Sequence, residues 1–170
     1  MLMKNGLIMA FVLACILVLV GCDPGTNTID GDELFKNTVK IELFNYENAN
    51  PKLRNLNKKK LPIFDFSKTT FIASLDEAQF EDVIQNIAEQ ECFVYGNALN
   101  EPIGKTIVLY QENGNMVVLF SCVYQNGKKL TKYYGECNIF DENGTFIEHI
   151  GRIDSDYVDM LESKYFGNSD

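Results

Sequence analysis

Three Asn-Gly pairs constrain the fold of this 170-residue chain more than any other feature: Asn113-Gly114, Asn126-Gly127 and Asn143-Gly144. Each sits between two runs rich in β-branched and aromatic residues, at 106–111, 116–124, 132–140 and 145–153. Asn and Gly reach positive φ at little cost, and the tight turns that join antiparallel strands require it. Three such turns in series predict a four-stranded antiparallel meander. The run 116–124 is apolar on both faces, with Val117, Leu119 and Val123 on one and Met116, Val118 and Phe120 on the other. That pattern belongs to a central strand covered on both sides, or to one with a face left for a partner.

The flanking segments complete an α+β pattern. Over Thr38–Tyr46, Val39, Ile41 and Leu43 alternate with Lys40 and Glu42, which predicts a half-buried strand. Residues 47–62 are charged and turn-rich and read as a long loop, docked on the core by Ile63, Phe64 and Phe66. Short strands are expected at 69–73 and 92–95. Ser74-Leu75-Asp76-Glu77 has the form of a capping box, followed by Phe80, Val83, Ile84 and Ile87 at helical spacing. A helix is therefore predicted over 75–90. A second follows Asp154 or Ser155, with Tyr157, Val158, Leu161 and Tyr165 on its apolar side and Gly167 as its stop. The expected architecture is α+β: a four-stranded antiparallel meander plus an N-terminal strand, with one helix before and one after the meander, in two layers.

The chain begins MLMKNGLIMAFVLACILVLVGC. Lys4 precedes an uncharged, largely apolar run over 6–20, which is of signal-peptide length and short for a membrane span. The run ends in Leu19-Val20-Gly21-Cys22. This segment resembles the lipobox of bacterial lipoproteins; an uncleaved signal anchor with an incidental cysteine is the plainer alternative. The resemblance implies a diacylglyceryl group on the Cys22 thiol and cleavage between Gly21 and Cys22. It also implies a mature protein held on the extracytoplasmic side of the cell membrane. Two acyl chains suffice for stable attachment, at about 0.8 kcal/mol per buried CH₂. Residues 1–21 are then a signal peptide, 22–33 a flexible tether rich in Asp, Gly, Thr and Asn, and 34–170 a single α+β domain. In size and pattern that domain is similar to many small bacterial lipoprotein domains.

Charge and chemistry narrow the function classes. The formal net charge of −9 opposes phosphate backbones and argues against a nucleic-acid binder. An apolar fraction of 46% excludes wholesale disorder. No Cys/His spacing suggests a metal, and no phosphate-binding, dinucleotide or hydrolase motif points to a cofactor or to catalysis. Asp141-Glu142-Asn143-Gly144 lacks the spaced acids of a calcium loop and reads as a turn.

Beyond the anchor, Cys92, Cys122 and Cys137 are an odd number. Three buried thiols, or one disulfide and one thiol, both fit. If Asn126-Gly127 forms a two-residue turn, Cys122 faces Thr131 and Cys137 lies roughly 20 Å away along the strand, beyond disulfide reach. His149, the sole histidine, is expected opposite Glu136 as a cross-strand pair, with no nucleophile placed beside it. Phe120, Tyr124, Tyr133, Tyr134, Phe140 and Phe146 gather on the meander, as core or as anchors of a binding face. The sequence therefore points to a lipid-anchored, non-enzymatic binding protein with a protein partner. A small solute or lipid held between sheet and helix is the alternative, and an enzyme a distant third.

Overall fold

Met116–Asn126 is the axis of the fold: every side chain from Met116 to Cys122 is buried, on whichever face it lies. In the computed structural model described here, strands are added on both sides of it. Residues 26–28, 34–47, 61–93, 102–126 and 129–167 are described. Gly21 and Cys22, with the whole expected signal peptide, lie outside them.

In chain order the strands are β1 (Thr26–Thr28), β2 (Thr38–Tyr46), β3 (Thr69–Ser74), β4 (Glu91–Phe93), β5 (Gly104–Gln111), β6 (Met116–Asn126), β7 (Lys129–Phe140) and β8 (Phe146–Ile153). They form one eight-stranded sheet in the order β1-β4-β8-β7-β6-β5-β2-β3, with every neighbouring pair antiparallel. The α+β class expected from the sequence holds. The sheet is larger than expected: β5 to β8 are consecutive neighbours inside it, extended by β2 and β3 on one side and by β4 and β1 on the other. Gly114 and Gly144 have φ of 85° and 76°, the left-handed conformation that their Asn-Gly turns need. β1 falls within residues 22–33, the stretch expected as a free tether. Thr26, Asn27 and Thr28 instead pair with Phe93, Cys92 and Glu91.

The helices cover one face. α1 (Phe80–Ala88) buries Val83 and Ile87, and α2 (Tyr157–Leu161) buries Tyr157, Val158 and Leu161. They pack on Ile41, Leu43, Ile107, Leu109, Val117 and Leu119. Each such side chain, once buried, stabilises the fold by about 1.5–3 kcal/mol. The layer is tied together by polar contacts. The Tyr157 hydroxyl donates to the Asn86 carbonyl at 2.9 Å, and the Tyr165 hydroxyl donates to that of Asp82 at 3.3 Å. Lys105 on β5 is paired with Glu162 just beyond α2.

Two helix expectations are corrected. α1 is shorter than 75–90, because Ser74 belongs to the sheet. It pairs with Glu42, and its hydroxyl donates to the Ile41 carbonyl at 3.3 Å, so it does not cap a helix. A 3-10 turn at Glu77–Gln79 leads into α1 instead, after Asp76, whose side chain makes no capping bond. At the other end of the chain, α2 runs into a wider π turn at Glu162–Phe166. The extra residue in that turn buries Phe166 and leaves Tyr165 only partly covered.

Candidate functional site

The face opposite the helices carries the aromatic residues. On β2, Phe44 and Tyr46 point there, since Ile41 and Leu43 are taken by the helix side. Val108 and Tyr110 from β5, Met116, Val118, Phe120 and Cys122 from β6, Tyr134 and Phe140 from β7 and Phe146 from β8 join them. Phe64 closes the group from above. Its amide donates to the Gly144 carbonyl at 2.8 Å, and the neighbouring Ile63 bridges Thr145. The Phe64 ring is 5.5 Å from Tyr46, 4.9 Å from Phe66 and 5.9 Å from Phe140, and Phe140 is 5.9 Å from Phe146. Phe71 on β3 lies edge-on to Phe44 at 6.0 Å.

Aromatic contact thus runs across the sheet, buried in the middle and open at the β3 end. Phe120 and Phe140 are fully buried and act as core, whereas Phe71 is 56% exposed and Phe66 38%. The expected aromatic face therefore exists, but its open members come from β3 and the turn before it, not from the meander. Tyr124 and Tyr133 have side chains outside the described set. Of the residues expected to dock the loop, Phe64 alone is buried; Ile63 and Phe66 remain exposed. The alternation Glu42, Phe44, Tyr46 was the available signal for this second face. The apolar helix-side alternation of β2 masks it.

Two polar groups interrupt the same face. At its β2–β5 part, Glu42 is buried and paired with Lys40 at 2.7 Å, and the Lys40 ammonium lies 4.8 Å from the centre of the Tyr110 ring. Burial, and next the adjoining Glu42 carboxylate, hold the Tyr110 phenol well above its ordinary value. At the β7–β8 part, Glu136 and Asn138 are fully buried. Asn138 Nδ2 donates to Glu136 Oε2 at 3.1 Å, and Asn138 Oδ1 lies 2.6 Å from His149 Nδ1. Because the amide nitrogen is committed to Glu136, the amide oxygen accepts and His149 Nδ1 carries the proton. His149 Nε2 is then a lone pair; it is buried and meets no hydrogen-bond partner among the described residues. Burial, and secondarily the Arg152 guanidinium, depress the imidazole pKa, so the ring is neutral at pH 7. Arg152 itself stacks on Tyr134, 4.2 Å from the ring centre.

His149 does not face Glu136 as expected. It pairs with Asn138, and Glu136 pairs with Arg152. One residue of the shift comes from the turn, where Phe140 pairs with Phe146, and one from a bulge at Ile147; a second bulge, at Ile150, then sets Arg152 opposite Glu136. Unbroken alternation from Phe146 would turn His149 toward the helices. The first bulge brings it to the Asn138 side, and the second returns Arg152 to the Tyr134 side. β7 is shifted likewise. Cys122 faces Tyr134, not Thr131, because Asn126 pairs with Lys129 and the strands slip once more beyond Val123. Cys122 and Cys137 are both buried, but on opposite faces of the sheet. Among the described residues no group of three or more His, Cys, Asp or Glu is placed to hold a metal ion.

Comparison with protein-family models, with curated proteins and with solved structures finds no match to this chain.

Proposed function

We propose that this chain is a lipid-anchored binding protein on the extracytoplasmic side of the cell membrane, attached through Cys22 and engaging a protein partner without catalysing a reaction. The sequence Leu19-Val20-Gly21-Cys22 after an apolar run supports the anchor. No helix among the described residues is long and apolar enough to cross a membrane, which is compatible with it. The observation that carries the binding role is the pair of exposed rings, Phe66 and Phe71, at the open end of an otherwise buried aromatic face. Aromatic side chains offer large contact area at low entropic cost and are frequent interface anchors. A net charge of −9 favours a partner with a basic surface, approached at a salt-dependent rate.

The test has two parts. Replacing Cys22 by Ser is expected to abolish incorporation of labelled fatty acid; unchanged incorporation would remove the anchor. Brief crosslinking on intact cells, at low and high salt, is expected to capture a partner that the double variant Phe66→Ser/Phe71→Ser no longer captures. A partner held equally by both forms would place the interface elsewhere.

The second reading, a small polar ligand, is favoured by the buried Nε2 of His149, which has no hydrogen-bond partner among the described residues and lies near Arg152. Native mass spectrometry of the protein decides it, by showing either a co-purifying small molecule or the bare chain.

A further inference from the structure

Very little chain separates Cys22 from the folded domain. Only Asp23, Pro24 and Gly25 lie between it and Thr26, where β1 begins. Extended chain spans at most about 3.6 Å per residue, so the path from Cys22 to Thr26 reaches roughly 14 Å. A free tether of ten or more residues would leave the domain to tumble, whereas this one ends at a defined place in the sheet.

That place is an edge. Among the described residues β1 is the outermost strand on one side and β3 the outermost on the other, with six strands between them. At about 4.8 Å per strand spacing, the two edges are roughly 34 Å apart across the sheet. Phe71 is on β3, and Phe66 is in the 3-10 turn that leads into it. The exposed aromatic end of the second face is thus at the opposite edge from the anchor.

We infer that the domain stands on the bilayer by its β1–β4 edge and holds β3, with Phe66 and Phe71, away from the lipid. This rests on the proposed lipidation of Cys22. The consequence concerns the partner. The rings face a soluble protein, or a domain projecting from elsewhere, and not the acyl chains or a membrane-embedded segment. An aromatic pair on a long tether would be free to dip into the bilayer; on a sheet anchored by the opposite edge it reaches the lipid only if the sheet lies flat.

The experiment uses the lipidated full chain in phosphatidylethanolamine–phosphatidylglycerol vesicles that carry nitroxide-labelled head groups. A fluorophore is introduced through a non-canonical amino acid at position 89, two residues before β4, or at position 70 on β3. Both native side chains, Glu89 and Thr70, are exposed. Quenching at position 89 is expected to exceed that at position 70 several-fold. Insertion of a Gly/Ser spacer of about 20 residues after Gly25, with a coil span of roughly 25 Å, is expected to remove the difference. Equal quenching at both positions of the unextended chain, or stronger quenching at position 70, overturns the inference while leaving the anchor intact. A chain that carries no acyl group by mass and does not float with the vesicles overturns the anchor reading, and the orientation with it.

Discussion

Gly144 does two things at one position. Its φ of 76° completes the turn between β7 and β8, and its missing side chain lets the Phe64 backbone approach. A Cβ there would lie 1.9 Å from the Phe64 carbonyl oxygen. Gly144→Ala is therefore expected to destabilise the protein by roughly 2–4 kcal/mol in urea unfolding, from left-handed strain plus displaced backbone. The Phe64 amide, bonded to Gly144, should lose protection from hydrogen exchange in the same variant. The turn role is legible in Asn143-Gly144; the contact is not, because Phe64 lies eighty residues earlier.

His149 makes a second prediction at this scale. Its folded-state pKa lies below the ordinary 6.5, so the unfolded chain takes up the proton first as pH falls. The contribution to stability is whole above about pH 6.5 and is lost as pH drops from there through the depressed value. The urea midpoint should fall over that window, and His149→Gln should flatten the fall. An identical slope in the variant would assign the loss to other groups.

At the level of elements, the apolar periodicities were readable and the ends were not. The stripe Phe80, Val83, Ile84, Ile87 is real, with Val83 and Ile87 fully inside. The start of α1 differs from the sequence expectation because Ser74 looks like a cap in isolation, yet its hydroxyl donates to the Ile41 carbonyl instead. In the last element the widened turn shifts the buried position from Tyr165 to Phe166. Phe166→Ala is expected to cost about 3–5 kcal/mol, and Tyr165→Ala distinctly less, as read from paired denaturation curves. Equal costs would mean that the terminal turn is an ordinary α-helical one. The bulges belong to this scale too. Val39 and Ile147, each 49% exposed, are extra residues of bulged strands, which is why two β-branched side chains face water. Ile72 is the extra residue of β3 and bends that edge strand, a device that discourages pairing with other chains.

For the whole molecule, the sheet is a partition. It keeps Cys137 with the helices and Cys122 with the aromatic face, so no disulfide joins them without breaking the sheet. Both thiols should resist alkylation in the native protein and react once denaturant unfolds it, which peptide mass mapping would show. Native modification of either one would mean that its face opens. The partition also accounts for the two cores. Two helices suffice for one face, and the other is closed by its own aromatic side chains and by Phe64.

The sequence by itself determined what depends on neighbours along the chain: the turns at Gly114 and Gly144, the strands between them, the apolar stripes of both helical segments and the α+β class. Local conformational preference and periodicity carry that information. The tertiary structure alone decided which residues meet across strands. His149 beside Asn138, Arg152 on Tyr134, Phe71 on Phe44 and β1 against β4 all depend on register, on bulges or on segments distant in sequence. One extra residue in a strand turns every later side chain to the other face, and no local preference announces it.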